Sequence, residues 1–454
     1  MSDDVLELAD KLWRGEVDIV EVHPVGGYLG GVAEIAEDVA FVPSFANVSA
    51  FTTGDGLVLV DTGSSFVATA VHDALRGWTP ERLHTAVYSH GHIDHVFGVP
   101  VWEQESADRG WPAPVVVAHD GVPARFDRYI DTAGYNAVIN QRQFAVPGLR
   151  WPTEYRYPDR TYSSTLDFEV GGRRFELHHA RGETDDHTWT WVPERRILCC
   201  GDLFIWASPN AGNPQKVQRY PREWAGALRD MLALEPEVLL PGHGFPVLGA
   251  DRVRQALADT AELLDALVDQ TVALMNEGAR LDEIIHSVVP PAHLLERPYL
   301  RPVYDEPEFV VRNVWRLYGG WWDGNPATLK PAPEAVVAAE LAELAGGAGA
   351  LADRALALLE GRPPGGRGPH RAGAGPDAAS PDPGDGGAGG PGVRLRLAAQ
   401  LAELAALAAP DDAGVHRVRA AVFARLSAEA TSTMAKGVFG WAARQSEEHA
   451  PPGD

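Results

Sequence analysis

In the run His90-Gly91-His92-Ile93-Asp94-His95, three imidazoles and one carboxylate fall within six consecutive residues. At the His and Asp frequencies of this chain, such a match arises by chance about once in a thousand sequences. In an extended loop His90 and His92 alternate and point together at one cation. The turn through Asp94 and His95 redirects the next pair toward a neighbouring cation. Imidazole suits zinc, iron or manganese, and carboxylate suits the harder members of that set. The only cysteines are the adjacent Cys199 and Cys200. This excludes a disulfide framework and a thiolate site, so nitrogen and oxygen must hold any metal. Three later segments, Gly182-Glu183-Thr184, Gly201-Asp202-Leu203 and Pro241-Gly242-His243-Gly244, each set one ligand type beside glycine. Glycine permits the tight turn and close backbone approach that a buried ion requires.

These residues need a rigid scaffold. From about residue 40 to 250, short apolar runs alternate with Gly, Pro and Asp, which is how a sheet-rich α/β domain reads. Strands are expected at Leu57–Val60, Ala86–Tyr88, Val115–Ala118, Arg174–His178, Thr188–Val192, Arg196–Cys200 and Val238–Leu240. Asp61, His90, His119, Glu183, Asp202 and His243 all lie at or just beyond the ends of such strands, the pattern of a site on one rim. Beyond residue 250 the period becomes helical, with Leu263, Leu264, Leu267, Val268, Leu274 and Met275 on one stripe and a further helix starting at Leu281. After Trp321 and Trp322 the text turns Ala- and Leu-rich. There Leu397, Leu401, Leu404 and Leu407 recur at helix spacing before Pro410 stops them. Between about Gly361 and Val393, Gly, Pro, Ala and Asp predominate, and so few large apolar residues predict a flexible loop.

The whole chain limits the partners. At 454 residues it exceeds what one core usually supports. Its 39 basic and 63 acidic side chains leave a formal charge of −24, which disfavours nucleic acid and anionic membrane surfaces. No apolar run approaches the roughly 18 residues of a membrane span. The acidic start Met1-Ser2-Asp3-Asp4 lacks a basic n-region and an apolar h-region. These features predict a soluble cytoplasmic protein.

With the motif and the three later ligand segments in order, the chain resembles the metallo-β-lactamase superfamily and, within it, the alkylsulfatase-like branch. The superfamily's His-x-His-x-Asp-His matches residues 90–95, its metal-bridging acid matches Asp202, and its last His matches His243. Where most members have Gly-His-Thr, this chain has Gly182-Glu183-Thr184, similar to the alkylsulfatases. Met275-Asn276-Glu277-Gly278, Pro298-Tyr299-Leu300 and the run from Tyr318 to Pro326 also look like that branch, and Leu401-Ala402-Glu403-Leu404 resembles its dimerisation domain. The resemblance implies an α/β metallo-β-lactamase αββα sandwich followed by an all-α helical domain. It implies a catalytic domain over 1–250, with 1–39 as an extension, then a helical connector over 251–330 and a helical dimerisation domain over 331–454.

The resemblance further implies two divalent metal ions, zinc foremost, one held by His90, His92 and Glu183 and the other by Asp94, His95 and His243, with Asp202 bridging. Asp94 and Asp202 are thereby the catalytic residues. Two cations about 3.5–4 Å apart can share a hydroxide and clamp an anionic substrate. Asp61 reads equally as a residue that orients a ligand His from behind and as a plain turn residue. The alkylsulfatase pattern carries an Arg-Gly pair that meets sulfate, whereas the corresponding stretch here, Pro209 to Lys216, has no Arg. Lys216 and Arg219 remain as basic candidates, and Asn136, Asn140 and Arg142 offer other oxyanion donors. The implied activity is hydrolysis of a small-molecule ester, a sulfate ester of an aliphatic alcohol, by a homodimer. The alternatives are a thioester, lactone or phosphoester on the same site, and a non-catalytic dimeric metal-binding protein.

Overall fold

The computed structural model describes residues 2–22, 31–362 and 391–450. The Gly/Pro-rich insert expected at about 361–393 falls almost wholly outside these residues. The chain forms two compact units, Met1–Ile139 with Arg150–Gly324, and Asn140–Leu149 with Asn325–Asp454. The stretch expected as a connector therefore belongs to the first unit as far as Gly324.

The first unit is built on two sheets. One runs in sequence order through β1 (Ala33–Ala36), β2 (Val39–Val42), β3 (Val48–Thr52), β4 (Leu57–Val60), β5 (Leu83–Val87), β6 (Val115–His119) and β7 (Arg160–Tyr162). The other comprises β8 (Thr165–Val170), β9 (Arg173–His179), β10 (Thr188–Val192), β11 (Ile197–Gly201), β12 (Val238–Pro241) and β13 (Val247–Leu248), also in sequence order. β4, β5, β6 and β7 are parallel neighbours, and so are β11 and β12. Period-2 alternation makes the layers. In β4, Val58 and Val60 join the core between the sheets with Phe41, Phe175, Leu177 and Trp189. Its Leu57 and Leu59 face the opposite way, onto Val71 and Leu75 of the helix Ala68–Trp78 and Trp102 of the helix Val99–Arg109. On the far side, Trp224, Leu228 and Met231 of the helix Pro221–Ala233 and Leu263, Leu264 and Leu267 of the helix Ala250–Asn276 cover the second sheet. The result is the αββα sandwich.

All seven expected strands are present, two of them, β4 and β10, at the expected bounds. β1, β2, β3 and β8 belong to antiparallel ladders that the sequence reading did not mark, although Gly54–Gly56 after β3 and Gly171–Gly172 after β8 are turn signals.

The second unit is helical, with helices at Glu334–Ala345, Ala348–Leu359, Pro391–Ala408, Ala413–Glu429 and Thr433–His449. The stripe Leu397, Leu401, Leu404 and Leu407 is half-buried. Ala398, Ala402 and Ala405 are the fully buried positions instead, against Leu358, Val415 and Val422 among others. Small side chains let helix backbones approach closely and push the leucines to the rim. Among the described residues no single helix is long and apolar enough to cross a membrane.

Candidate metal centre

The site lies where strands end. His90, His92, Glu183 and Asp202 offer ligand atoms within 4.8 Å of one another, and Asp94, His95 and His243 form a second such group. Asp202 faces both groups. Its Oδ2 is 3.2 Å from His243 Nε2 and 3.9 Å from His90 Nε2, and its Oδ1 is 3.4 Å from His95 Nε2. Glu183 Oε2 is 3.5 Å from His90 Nε2 and 3.4 Å from His92 Nδ1. Asp94 Oδ2 is 3.7 Å from His95 Nε2 and 3.5 Å from His243 Nε2. Two ligands about 2.1 Å from one tetrahedral ion lie about 3.4 Å apart, so most of these separations fit a shared cation better than a hydrogen bond. Glu183 Oε2, Asp202 Oδ1 and His95 Nε2 are buried without a hydrogen-bond partner. Such an orphan costs about 1–3 kcal/mol, which a cation at the centre of each group would offset. The donor set of imidazole and carboxylate thus fits divalent ions.

For His90 and His92 protonation agrees with this fit. Burial holds His90 and His92 well below the usual imidazole range, in the neutral form that donates to a metal. Burial also pushes Glu183 up to about 7, against the pull of Arg219. For Asp202 burial opposes charge, yet His243 and His95 hold it well below the usual carboxylate range. Asp202 in turn raises both of those rings against the effect of their own burial.

Behind the ligands stands a hydrogen-bonded support. Asp61, just past the end of β4, is buried with φ of 60°, a left-handed conformation that Asp tolerates better than most residues. Its Oδ2 lies 2.7 Å from His95 Nδ1 and accepts from Ser89 Oγ at 2.8 Å, while Oδ1 accepts from the Ser89 N–H at 2.7 Å. One carboxylate thereby fixes both the ring of His95 and the strand end that launches the His motif. The Gly91 N–H donates to Asp186 Oδ2 at 3.1 Å, and Asp186 is paired with Arg125 Nε at 2.6 Å. A Cβ on Gly91 would stand 2.7 Å from Arg125 Cδ, which is why the residue between the two histidines is glycine. A Cβ on Gly242 would stand 2.1 Å from Asp202 Oδ1.

Sequence reasoning missed His187, Asp186 and Arg125. His187 stacks on His90 at 4.8 Å between ring centroids, its Nε2 accepts from the Asp202 N–H at 3.1 Å, and burial lowers it to about 4. The available signal was Asp185-Asp186-His187 directly before the wholly buried strand β10, a run that also reads as an ordinary turn.

Of the expected substrate residues, Asn136, Lys216 and Arg219 belong to the first unit. Arg219 is buried and turned to Glu183, donating from Nη1 to its backbone carbonyl, with Nη2 3.4 Å from Oε1. Lys216 lies with its ammonium 5.5 Å from the centre of the Trp151 ring, and burial with the neighbouring Arg219 lowers it to about 7. Asn136 donates to the Thr132 carbonyl at 3.1 Å and to Thr132 Oγ1 at 2.8 Å, along its own helix. Asn140 and Arg142 are part of the second unit. Trp321 is 73% exposed.

Residues 42–243 match the family model for the metallo-beta-lactamase superfamily, and residues 280–362 match the one for alkyl sulfatase dimerisation. The segment that carries the site thus matches the metallo-beta-lactamase superfamily, and a segment matching alkyl sulfatase dimerisation follows it. More particularly, the chain is similar to linear primary-alkylsulfatases from Pseudomonas. One is 32% identical over 366 residues, covering 72% of this chain and 52% of the relative. Another is 26% identical over 328 residues, covering 64% and 59%. An (R)-specific secondary-alkylsulfatase from Pseudomonas is 26% identical over 349 residues, covering 69% and 51%. The chain thus spans only 51% to 59% of the length of these relatives. The solved structure of a stereoselective inverting sec-alkylsulfatase from Pseudomonas matches with a TM-score of 0.77 at 23% identity, covering 94% of this chain and 67% of that one, and this shows the fold.

Proposed function

We propose that the chain is a binuclear metal-dependent hydrolase that cleaves sulfate esters of aliphatic alcohols. The observation that carries this reading is the meeting of two ligand groups at Asp202, with the carboxylate of Glu183 completing the first. Divalent ions held there, zinc foremost, would supply Lewis acidity toward an anionic ester and acidify water to near neutrality. The chain's own residues hold that chemistry in place. Asp61 orients His95, Asp202 joins the two groups, and Lys216 presents a positive charge to an anionic ester below about pH 7. The names of the similar Pseudomonas proteins support sulfate esters as the substrate class. A homodimer is supported by the dimerisation segment, in which Val336, Val337, Leu341 and Leu344 of one helix are all exposed.

The test is a panel of a medium-chain alkyl sulfate, a thioester, a lactone and a phosphoester, assayed before and after chelation. We expect sulfate release that chelation abolishes and metal restores. Turnover of the uncharged esters with none of the alkyl sulfate would replace the substrate class. Two bound metals with no turnover of any ester would favour a binding protein. Product analysis in ¹⁸O-labelled water would then decide between C–O and S–O cleavage.

A further inference from the structure

The loop from Ser208 to Arg219 supplies two groups to one metal-ligand candidate. Asn210 Nδ2 donates to Glu183 Oε1, and Arg219 meets the same residue at its backbone carbonyl and at Oε1. With Oε1 engaged twice, the orphaned Oε2 is left aimed at His90 and His92. The loop itself contains no helix or strand, so something else must hold it.

That support comes from a hundred residues later in the chain. The fully buried Asp305 accepts from the Gly212 N–H at 2.5 Å and from the Glu306 N–H at 2.8 Å. The Ser208 N–H donates to the Arg301 carbonyl at 2.9 Å. Gly212 lies so close to the helix Pro307–Gly319 that a Cβ would stand 2.2 Å from the backbone of Phe309. One turn further along, Asn313 closes a two-way bond with Arg219, donating to its carbonyl at 3.0 Å and accepting from its N–H at 3.3 Å. Asn313 Oδ1 also accepts from Gln218 Nε2 at 3.0 Å. Every unit of this chain of contacts is buried or half-buried, and of these residues only Asn210 and Arg219 bond to a residue of the ligand cluster.

We infer that Asp305 and the helix Pro307–Gly319 are the outer wall of the metal site, fixing Glu183 through Asn210 and Arg219, although they belong to the segment that matches alkyl sulfatase dimerisation. The inference rests on the reading of Glu183 as a metal ligand. Asp305 and Asn313 are positioning residues: they touch neither metal nor substrate. A segment identified with dimerisation thereby also sets the affinity of one metal.

The experiment is a titration of the metal-free full chain with Co(II) in competition with a chromophoric chelator, on wild type, Asn313→Leu, Arg219→Met and the double variant. Groups behind a ligand typically change metal affinity by 10–100-fold. We expect Arg219→Met to weaken one of two Co(II) ions within that range, and Asn313→Leu to weaken the same ion by about tenfold. The double variant should be no weaker than Arg219→Met alone, since both act on one path. Asn313→Asp, which keeps the acceptor and removes the donor to Arg219, gives the same result if the leucine variant does not fold. Wild-type affinity for both ions in Asn313→Leu and Asn313→Asp, or full additivity in the double variant, overturns the inference while leaving the metal site intact. A wild type that takes up no Co(II) overturns the ligand reading and the inference with it.

Discussion

Replacing Asp61 by Asn tests whether one carboxylate orients the second ligand group. The side chain meets Ser89 N–H at 2.7 Å, Ser89 Oγ at 2.8 Å and His95 Nδ1 at 2.7 Å. An Asn can still accept from the Ser89 N–H, but its amide nitrogen would face the His95 ring and favour the wrong tautomer. Residues that orient a metal-binding His this way typically control metal affinity by 10–100-fold, which is about 1.4–2.7 kcal/mol. Asn also tolerates the φ of 60° at this position. Asp61→Ala, in contrast, leaves the Ser89 N–H unpaired as well, at about 1–3 kcal/mol. It also puts a residue that disfavours the left-handed region there, at about 1–2 kcal/mol. The alanine variant is therefore expected to be about 2–5 kcal/mol less stable than the asparagine variant, by denaturant unfolding of the metal-free forms. Zinc affinity, measured against a chelating dye, should already have fallen 10–100-fold in Asp61→Asn. If Asp61→Asn binds both ions as wild type does, Asp61 braces the strand end and does not orient His95.

Gly242→Ala should cost about 1–3 kcal/mol from overpacking and displace Asp202, whose Oδ1 would meet the new Cβ at 2.1 Å. Thermal unfolding together with metal content checks both parts. Lys216 is held at about 7, so it is cationic below that pH and neutral above it. KM for an alkyl sulfate should rise as pH increases through 7 in wild type and be uniformly high in Lys216→Met, with uncharged esters little affected in either. Leu344, 77% exposed on the helix Glu334–Ala345, should lie in a subunit interface. Leu344→Glu is then expected to shift sedimentation toward monomer with little loss of thermal stability, and an unchanged dimer would place the interface elsewhere.

The scaffold was legible because alternation of apolar residues is a local property. Leu57–Val60 reads as a buried strand without knowledge of its neighbours, and its two faces do pack on different layers. The His motif was legible for the same reason: its donors are consecutive. What stayed hidden depends on contacts distant in sequence. Nothing near Arg219 says that its guanidinium meets Glu183, 36 residues away, so a basic residue after the bridging acid reads as an anion contact. His187 went unmarked because its partners, His90 and Asp202, come from two other strand ends. In the helical unit the period of Leu397 to Leu407 was legible but its depth was not, since a stripe of leucine beside a stripe of alanine leaves two ways to pack and only the partner helices decide between them.

The carboxylate at Glu183 and the guanidinium at Arg219 make best sense together. Glu183 is one of three carboxylates among the candidate ligands, beside Asp94 and Asp202. Three negative charges against two divalent cations leave the centre at a formal +1, where an imidazole at position 183 would leave +2. A less positive centre attracts an anionic ester less. Arg219, with Nη2 3.4 Å from Glu183 Oε1, restores that charge at a fixed place beside the first ligand group. The restored charge is permanent, because a guanidinium does not lose its proton in the working pH range. Lys216 differs in kind, since burial and the neighbouring Arg219 hold it near neutrality, where pH governs its charge. On the proposed reading, recognition of an anion would be divided between one cation locked to a ligand and another that titrates. An Arg free to move in the stretch Pro209 to Lys216 would add a third positive charge close to both.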